Sequence, residues 1–238
     1  MCGRYVLVSK VKAIENRFNV NFDNKETFKP NFNLGIGQYA PVITDKDSKI
    51  IQFFRFGLSP FWAKKPMNLF NARSEGNNNK QDSPNYSGGK GIIIKPAFRK
   101  PIRSQRCLII ADAYIEGTTN EGLNKPHLVY IRKSHPFAFA GIWDTWHNQD
   151  SNEQINSFSI ITTTANELIQ QLAHHRMPVI LNATATELWL NDLLLFESYK
   201  AELGKYYFNS IDSYIVSSLV NSIKNQSEQC IDKIPNLL

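Results

Sequence analysis

The sequence predicts a single α+β domain, built on a curled, barrel-like sheet of mixed or antiparallel strands with flanking helices. Many short apolar segments typical of strands alternate with only a few helical patterns, and no stretch repeats another. The chain has 238 residues, of which 42% are hydrophobic, and this is enough for one sizeable core. We therefore expect residues 1–238 to form one domain.

Strands are predicted where short apolar or alternating runs lie between polar turns. These runs cover 5–8, 41–44, 49–57, 106–111, 126–132, 137–143, 157–164 and 214–216. Helices are predicted from apolar spacing or capping residues at 11–18, 97–100, 166–173, 182–189 and 197–206. Ser9 is the expected cap of the first helix. The polar, turn-rich residues 19–40 are expected to form a long loop.

Residues 76–91 read GNNNKQDSPNYSGGKG and have lost nearly all hydrophobic content. Such low-complexity segments cannot bury enough apolar surface to order themselves. Strands of similar character resume on both sides, so the segment does not look like a domain linker. We expect a flexible insertion that faces solvent.

Composition restricts the class of protein. No apolar run approaches the roughly 18 residues of a membrane span, and the N-terminus has no hydrophobic signal segment. The spacing of Cys2, Cys107 and Cys230 fits neither a disulfide framework nor a metal site, so we expect a reducing compartment, no metal and no cofactor. The net charge of +6 and the pI of about 9.1 favour a polyanionic partner.

The first residues, Met1-Cys2-Gly3-Arg4-Tyr5, carry the most specific chemical hypothesis. Cysteine is small, so a cytosolic aminopeptidase is expected to remove Met1 and leave Cys2 with an α-amine beside its thiol. The amine titrates at about pH 8, so a useful fraction is nucleophilic at neutral pH. Such an aminothiol condenses with an aldehyde, first through nitrogen as a Schiff base and then through sulfur as a thiazolidine. The alternative is a frayed terminus with an incidental cysteine.

Three further residues are candidates for sugar, phosphate or proton chemistry. Asn71 and Arg73 alternate along an extended segment, so they share a face that suits a sugar or a phosphate. The alternative is an asparagine that satisfies a loop and a surface arginine. Glu116 ends an apolar strand, where burial would raise the pKa of its carboxyl and make it a general acid. A structural salt bridge is the alternative for Glu116.

Two more segments combine chemistry with a rigid backbone. His174 and His175 precede Pro178, which forces an exit from a helix, so at most one of them is expected to face a pocket and shuttle protons. An ordinary surface pair is the alternative. Trp62 lies next to a pair of lysines and would stack on a base while the lysines meet phosphates. A core tryptophan is the alternative for Trp62.

Eight motifs, taken in order, connect these residues to a known family. They are MCGRY, FGLSPFWA, NARSE, FRKPIRSQRCLIIADAYIEG, KPH, FAGIWDTW, SFSIITTTAN and HHRMPVIL. Together they resemble the SRAP (SOS response-associated peptidase) family, whose members shield abasic sites in DNA. The resemblance runs from Cys2 to about Trp189, with a weaker echo over 216–221, and implies a barrel-centred α+β domain.

The resemblance also implies a role for each candidate residue. Cys2 resembles the cysteine that forms a thiazolidine with the ring-opened aldehyde of an abasic deoxyribose, and Asn71 resembles the asparagine that positions it. Glu116 resembles the glutamate that assists ring opening and proton transfer. His174 resembles the histidine that helps to form or resolve the Schiff base. The implied DNA contacts are phosphate contacts at Arg4, Arg73 and Arg176, and stacking at Trp62 where duplex gives way to single strand.

Two departures from the family pattern affect the site. Gly117 follows Glu116 where relatives have a tryptophan, and this is expected to loosen the packing of the carboxylate. His175 stands where an acidic residue often follows the catalytic histidine, and this is expected to make His174 less basic.

The main hypothesis is a sensor of abasic sites in single-stranded DNA, or at junctions with duplex, that cross-links to them through Cys2 in the DNA damage response. Abasic-site (AP) lyase activity is expected beside it, because a Schiff base acidifies the C2 proton of the sugar. We expect a monomer in the bacterial cytoplasm, associated with the nucleoid and not with a membrane. The alternatives are a thiol peptidase that removes its own leader and a noncovalent reader of modified bases.

Overall fold

The computed structural model describes residues 2–23, 28–118, 120–132, 135–148, 151–172, 174–204 and 211–235. The strands in these ranges are β1 Arg4–Leu7, β2 Asn31–Gly35, β3 Tyr39–Thr44, β4 Gln52–Phe56, β5 Asn71–Arg73, β6 Arg106–Ala111, β7 Ala113–Thr118, β8 Gly122–Ile131, β9 Phe137–His147, β10 Gln154–Thr164, β11 Arg176–Pro178, β12 Ile180–Leu181 and β13 Ile211–Ile215. The α-helices are α1 Val11–Phe18, α2 Pro101–Ser104, α3 Glu167–Gln171, α4 Ala183–Leu190 and α5 Phe196–Tyr199. Short 3-10 helices lie at Gly91–Ile94, Lys200–Gly204, Ser218–Asn221 and Glu228–Ile231. Within the described ranges, no helix is long and apolar enough to cross a membrane.

Five strands close into a barrel, in the order β10-β4-β3-β6-β9 and back to β10. β4 runs parallel to β10 and the other neighbours are antiparallel, so the barrel sheet is mixed. The end of β10 extends beyond β4 and β9 and pairs with β5 on one edge and β11 on the other. The predicted α+β domain with a curled, barrel-like sheet is confirmed.

A second, antiparallel sheet has the strand order β13-β8-β7-β1-β2. β6 of the barrel runs into β7 of this sheet through Asp112 alone, so one segment belongs to both sheets. The Asp112 carboxylate accepts hydrogen bonds from the backbone N–H groups of Val8 and Ser9, each at 2.7 Å, and from the Ser9 hydroxyl at 2.6 Å. These bonds attach the end of β1 to the junction of the two sheets.

The main hydrophobic core fills the barrel and extends to the inner face of the second sheet. Tyr5 of β1 packs edge-on against Phe56 and Phe139, with ring centroids 5.8 and 5.9 Å apart. Such aromatic pairs combine a large buried area with a fixed geometry. A smaller cluster covers the other face of the sheet and contains Val6, Ala113, Ile115, Leu128, Val216, Val220 and Cys230. β1 is therefore buried on both faces, which fixes its register.

The long loop predicted over 19–40 is wrong, because β2 and the start of β3 lie within it. Its asparagines suggested turns. Asn33, however, is fully buried, and its side-chain amide donates to the carbonyl oxygens of Val220, Ser222 and Asn225 at 3.2, 3.0 and 2.9 Å. The Asn33 side chain thus provides hydrogen-bond donors to backbone carbonyl oxygens that are distant in sequence, while its own segment remains an extended strand.

Two predictions at helix starts are also wrong in detail. Ser9 does not cap α1, because its hydroxyl is committed to Asp112, and Lys10 occupies the cap position without a side-chain hydrogen bond. The helix expected at 97–100 begins only at Pro101. The fixed φ angle of proline suits the first position of a helix, which explains this start.

The helices predicted near Asn166 and Asn182 are present as α3 and α4. Each asparagine side chain caps its helix by accepting a hydrogen bond from the backbone N–H three residues later. The helix predicted over 197–206 is instead the short α5, followed by a 3-10 helix that ends at Gly204. Residues 205 and 206 lie outside the described ranges.

The segment 76–91 faces solvent only in part. Asn79 is 4% exposed, and its side chain donates to the Ser83 carbonyl at 3.0 Å and accepts from the Ser83 N–H at 2.9 Å. At Gly76, where φ is +58°, a Cβ atom would lie 2.7 Å from the carbonyl carbon of Gly91. The two ends of the segment therefore meet, and its middle carries a defined turn.

Arg106→Met is expected to destabilise the protein by about 3 kcal/mol. The Arg106 side chain is fully buried and donates to the carbonyl oxygens of Arg103, Trp189 and Asn191 at 2.7, 2.8 and 2.7 Å. Methionine fills much of the space but leaves these oxygens without donors. Urea unfolding measures the loss. Arg99→Met changes an exposed arginine and should cost less than about 0.5 kcal/mol, so equal losses would contradict the prediction.

Candidate active site

Cys2 lies two residues before the start of β1 and is 1% exposed. Its backbone carbonyl accepts a hydrogen bond from Asn71 Nδ2 at 3.1 Å. Asn71 is the first residue of β5, where parallel pairing with Ile160 of β10 fixes its position. Burial, with a further contribution from the charge of Glu116, raises the pKa of the Cys2 thiol well above its usual range. The structure thus brings Cys2 and Asn71 together and keeps the sulfur protonated.

Glu116 lies on β7, beside the first residues of β1. The antiparallel register joins Arg4 to Ile115, which places Glu116 next to the entry of β1. The Glu116 side chain is 5% exposed, and burial raises the pKa of its carboxyl. A Cβ atom on Gly117 would lie 2.3 Å from the Gly122 backbone, so β7 and β8 approach each other closely directly after Glu116.

The imidazole of His174 is held at both ring nitrogens. Nδ1 lies 2.7 Å from the Arg176 carbonyl oxygen, which only accepts, so Nδ1 carries a hydrogen. The Arg176 backbone N–H is 3.3 Å from the same nitrogen. A protonated Nδ1 cannot accept a hydrogen bond from this N–H. We assign the tautomer from the shorter of the two contacts, which is the one to the carbonyl oxygen. Nε2 lies 3.2 Å from Oε1 of Glu116, so one proton is shared between these two atoms.

The environment favours the uncharged form of both groups. Burial lowers the pKa of His174 to about 4, in the direction expected from the sequence. Burial raises the pKa of the Glu116 carboxyl. His174 is therefore neutral at pH 7, and the raised pKa of Glu116 favours a carboxyl group that can donate its proton to the lone pair of Nε2.

One cavity of about 460 Å³ unites four of the eight predicted site residues. Its lining includes Arg4, Glu116, His174 and Arg176, and Cys2 lies directly before the lining residue Gly3. His175 also lines the cavity, so the expectation that at most one of the two histidines faces a pocket is wrong. His174 is the histidine that contacts Glu116. Among the described residues, no three His, Cys, Asp or Glu side chains are grouped closely enough to hold a metal ion.

Arg4 reaches the cavity from β1. Its Nε donates to the Val220 carbonyl at 3.3 Å and its Nη1 donates to the Gly3 carbonyl at 3.0 Å. Gly35 of the neighbouring strand gives it room, since a Cβ atom there would lie 2.8 Å from Arg4 Nη1. The guanidinium is half-buried and its direction is fixed by backbone carbonyls.

Arg73 and Arg176 are joined in a network of ion pairs. Oδ1 of Asp82 lies 2.7 Å from Arg73 Nη2 and 3.1 Å from Arg176 Nη1. Arg176 Nη2 also lies 2.9 Å from Oε2 of Glu75 and donates to the Thr162 carbonyl at 2.9 Å. Arg176 is 4% exposed. Two of the three predicted phosphate contacts, Arg73 and Arg176, are therefore occupied by carboxylates of the protein itself.

Trp62 lies on the surface, outside the residues that line the cavity, and is 50% exposed. Its Nε1 donates to the Pro96 carbonyl at 3.4 Å. Phe61 beside it is 52% exposed, with the ammonium group of Lys100 4.5 Å from its ring centroid. The alternative of a core tryptophan is excluded. The loop instead presents two aromatic rings on a basic surface.

Several residues of the site were not singled out from the sequence. Glu75 follows the NARS residues directly, and its proximity to Arg73 was a usable signal. Asp82 lies in a polar low-complexity segment and Asp112 forms contacts across more than a hundred residues. Neither aspartate has a local pattern that indicates its partners.

A closed barrel joined to a second sheet, whose N-terminal strand begins at a cavity of titratable side chains, defines a class of single-domain α+β proteins. Comparison with known proteins identifies the class. Residues 1–223 match the family described as SOS response associated peptidase (SRAP), and the chain belongs to this family. The family predicted from the motifs is confirmed.

Relatives resemble the chain over nearly its whole length. Abasic site processing protein YoqW of Bacillus subtilis (strain 168) is 34% identical over 239 residues, which cover 98% of this chain and 99% of that protein. Abasic site processing protein HMCES of Gallus gallus is 26% identical, over 86% of this chain and 66% of that protein. A crystal structure of a protein from Bacteroides thetaiotaomicron has a TM-score of 0.81 at 24% identity, over 98% of this chain and 100% of that one. This last likeness shows a shared fold.

His174 is expected to be neutral at pH 7, with its hydrogen on Nδ1, and to gain a second proton only near pH 4. Burial disfavours the imidazolium, and the Arg176 carbonyl selects the tautomer. Long-range ¹H–¹⁵N correlation NMR across a pH titration measures both properties, and His174→Asn identifies the signal. A midpoint at the ordinary value of about 6.5, or a hydrogen on Nε2, would contradict the assignment.

Proposed function

We propose that this protein processes abasic sites in DNA, and that it cross-links Cys2 to the ring-opened sugar of an abasic site in single-stranded DNA. The observation that carries the proposal is the position of Cys2. Its backbone carbonyl is hydrogen-bonded to Asn71 beside a cavity that is lined by the Glu116–His174 pair and by two arginines. The relatives from Bacillus subtilis and Gallus gallus are named abasic site processing proteins, which supports the same substrate.

The proposed reaction requires removal of Met1, so that Cys2 carries a free α-amine. The amine attacks the aldehyde carbon of the opened sugar and water leaves, which gives a Schiff base. The thiol then adds its sulfur to the imine carbon and its proton to the imine nitrogen, closing a thiazolidine. The products are the thiazolidine and one water, without an oxidant or reductant. A buried, protonated sulfur suits this order, because nitrogen attacks first and the S–H proton is used afterwards.

Glu116 and His174 are suited to the proton transfers. With its raised pKa, Glu116 donates a proton to oxygen as the sugar ring opens and as water leaves. His174 orients that carboxyl through Nε2 and is itself fixed by the Arg176 carbonyl. The Oδ1 atom of Asn71 is buried and accepts no hydrogen bond within the described part of the chain, so it is available to a sugar hydroxyl or an amine.

The proposed DNA path has two parts. Arg4 and Arg176, which line the cavity, and Arg73, which reaches its wall at Asp82, contact phosphates near the abasic sugar. The exposed rings of Phe61 and Trp62 stack on bases farther along the strand, beside exposed lysines. Strand cleavage by β-elimination is a proposed side reaction of the Schiff base, because the imine acidifies the neighbouring C2 proton.

The raised pKa of the Cys2 thiol argues against the alternative of a thiol peptidase. A cysteine nucleophile reacts as the thiolate, and burial raises the pKa of the Cys2 thiol. Experiment can distinguish the alternative of a noncovalent reader of modified bases from the proposed cross-linking protein. Such a reader would retain its DNA affinity and its function without Cys2.

The protein without Met1 is expected to give a heat-resistant, slower band with an abasic single-stranded oligonucleotide on a denaturing gel. Cys2→Ala should abolish the band, because the remaining amine cannot close the ring, and a tag ahead of Cys2 should abolish it by blocking the amine. Cys107→Ala and Cys230→Ala are controls that remove other buried thiols and should keep the band. A band that persists in Cys2→Ala or in the tagged protein would refute the proposed chemistry.

Glu116→Gln is expected to slow cross-linking about 100-fold, because the amide cannot donate the proton that the carboxyl supplies. Rapid-quench time courses on the abasic oligonucleotide give the rate. Binding of an oligonucleotide with an unreactive abasic analogue should stay unchanged, which separates chemistry from affinity. Glu187→Gln, on the exposed side of α4, is the matched control and should react at the wild-type rate. Equal rates for the two variants would exclude Glu116 as the acid.

A further inference from the structure

Asp82 occupies the space between two cations at the wall of the cavity. A single oxygen, Oδ1, lies 2.7 Å from Arg73 Nη2 and 3.1 Å from Arg176 Nη1. Asp82 and Arg176 line the same cavity as Glu116 and His174. An anion site made of two guanidinium groups therefore opens into the candidate active site and is filled by a side chain of the protein.

Arg176 does not need Asp82 to balance its charge. Its Nη2 contacts Oε2 of Glu75 at 2.9 Å, and Oε1 of Glu75 accepts from the Thr163 hydroxyl at 3.0 Å. The Glu75 side chain is 1% exposed and the Asp82 side chain is 19% exposed. Glu75 is thus the internal partner that compensates the buried cation, and Asp82 is a second, more accessible carboxylate on the same guanidinium.

The arginine pair has donors that Asp82 does not use. The Nε atoms of Arg73 and Arg176 are buried and make no hydrogen bond within the described ranges. Buried donors without acceptors are costly. A phosphodiester offers two terminal oxygens, and arginine binds phosphate through two parallel N–H groups. In Arg73 the unused Nε–H lies on the same edge of the guanidinium as Nη2, so a phosphate can fill this edge with two oxygens and still meet Arg176 Nη1, where Asp82 supplies one oxygen to both arginines.

The backbone presents Asp82 in a preformed turn. Its φ angle is +53°, in the left-handed region that Asn and Asp tolerate and glycine favours. The side chain of Asn79 closes the turn by pairing with the backbone of Ser83. Replacement of Asp82 by Asn or Gly is therefore compatible with the local backbone. Asparagine removes only the charge, and glycine removes the whole side chain.

We infer that Asp82 is an internal stand-in for a DNA phosphate. In the free protein its carboxylate fills the anion site between Arg73 and Arg176, and the phosphate next to the abasic nucleotide displaces it when DNA enters. The inference rests on the proposed function. It makes Asp82 a specificity-determining residue, because only a ligand with an anion at this position can replace the carboxylate.

Fluorescence anisotropy with a single-stranded oligonucleotide tests the inference. The oligonucleotide carries a tetrahydrofuran abasic analogue, which has no aldehyde and cannot cross-link. Asp82→Asn and Asp82→Gly are expected to bind about tenfold more tightly than wild type, because no carboxylate has to be displaced from charge-assisted bonds. The plot of log affinity against log salt should steepen by about 0.7, since the uncovered arginines now release counterions.

Glu187→Gln is the control, because it removes one negative charge from the exposed side of α4 and should change neither quantity. Adding Arg73→Gln to Asp82→Asn should abolish the gain, since the phosphate loses one of its two partners.

Unchanged or weaker binding in both Asp82 variants would overturn the inference, as would an equal gain in Glu187→Gln. The cross-linking gel is read separately. If a Cys2-dependent band forms but the Asp82 variants bind DNA as wild type does, the proposed function is supported and only the inference about Asp82 is refuted. If the Asp82 variants bind more tightly and with a steeper salt dependence but no Cys2-dependent band forms, the anion site is supported and the proposed cross-link is refuted.

Discussion

The carboxylate of Asp112 holds the N-terminal strand in place, and the rest of the site depends on that strand. Chain termini usually fray unless they are tied down. β1 is tied at its end by three hydrogen bonds to Asp112, at both edges by β2 and β7, and on both faces by core side chains. Asn71 then holds the carbonyl of Cys2 at the opposite end of the strand. The proposed reaction of this terminus would have a defined geometry because its strand is an interior strand of the sheet.

Arg176 connects the Glu116–His174 pair of the cavity with the carboxylates that its guanidinium binds. Its backbone carbonyl fixes the tautomer of His174, which in turn shares a proton with Glu116. Its guanidinium holds Glu75 and Asp82. Asp82 is also close enough for its charge to oppose the lowering of the His174 pKa. In the proposed complex, replacement of Asp82 by a phosphate keeps a negative charge near His174. The acid–imidazole pair would then keep its electrostatic surroundings as DNA enters.

The sequence was sufficient for features with local patterns and insufficient for those with distant partners. Short apolar runs predicted the barrel strands, and the motifs located Cys2 and Glu116. Asn33 looked like a turn residue because its acceptors lie nearly two hundred residues away in sequence. Asp82 lies in a polar segment whose composition indicated only solvent exposure. Trp62 fitted a core and a surface equally well, since hydrophobicity alone does not decide which side of a loop a ring occupies.

The burial of Arg176 gives it a different task from the exposed residues of the proposed DNA path. Its Nη2 is committed to Glu75 and Thr162, so Nη1, which contacts Asp82, is the donor group offered to a ligand. A guanidinium whose direction is fixed in this way binds an anion at one defined position and loses little side-chain entropy on binding. The exposed rings of Phe61 and Trp62 have no such constraint and suit bases of any sequence. The proposed complex thus combines tolerant stacking along the strand with an oriented phosphate contact beside the abasic sugar. That oriented contact is what would align the aldehyde with the fixed position of Cys2.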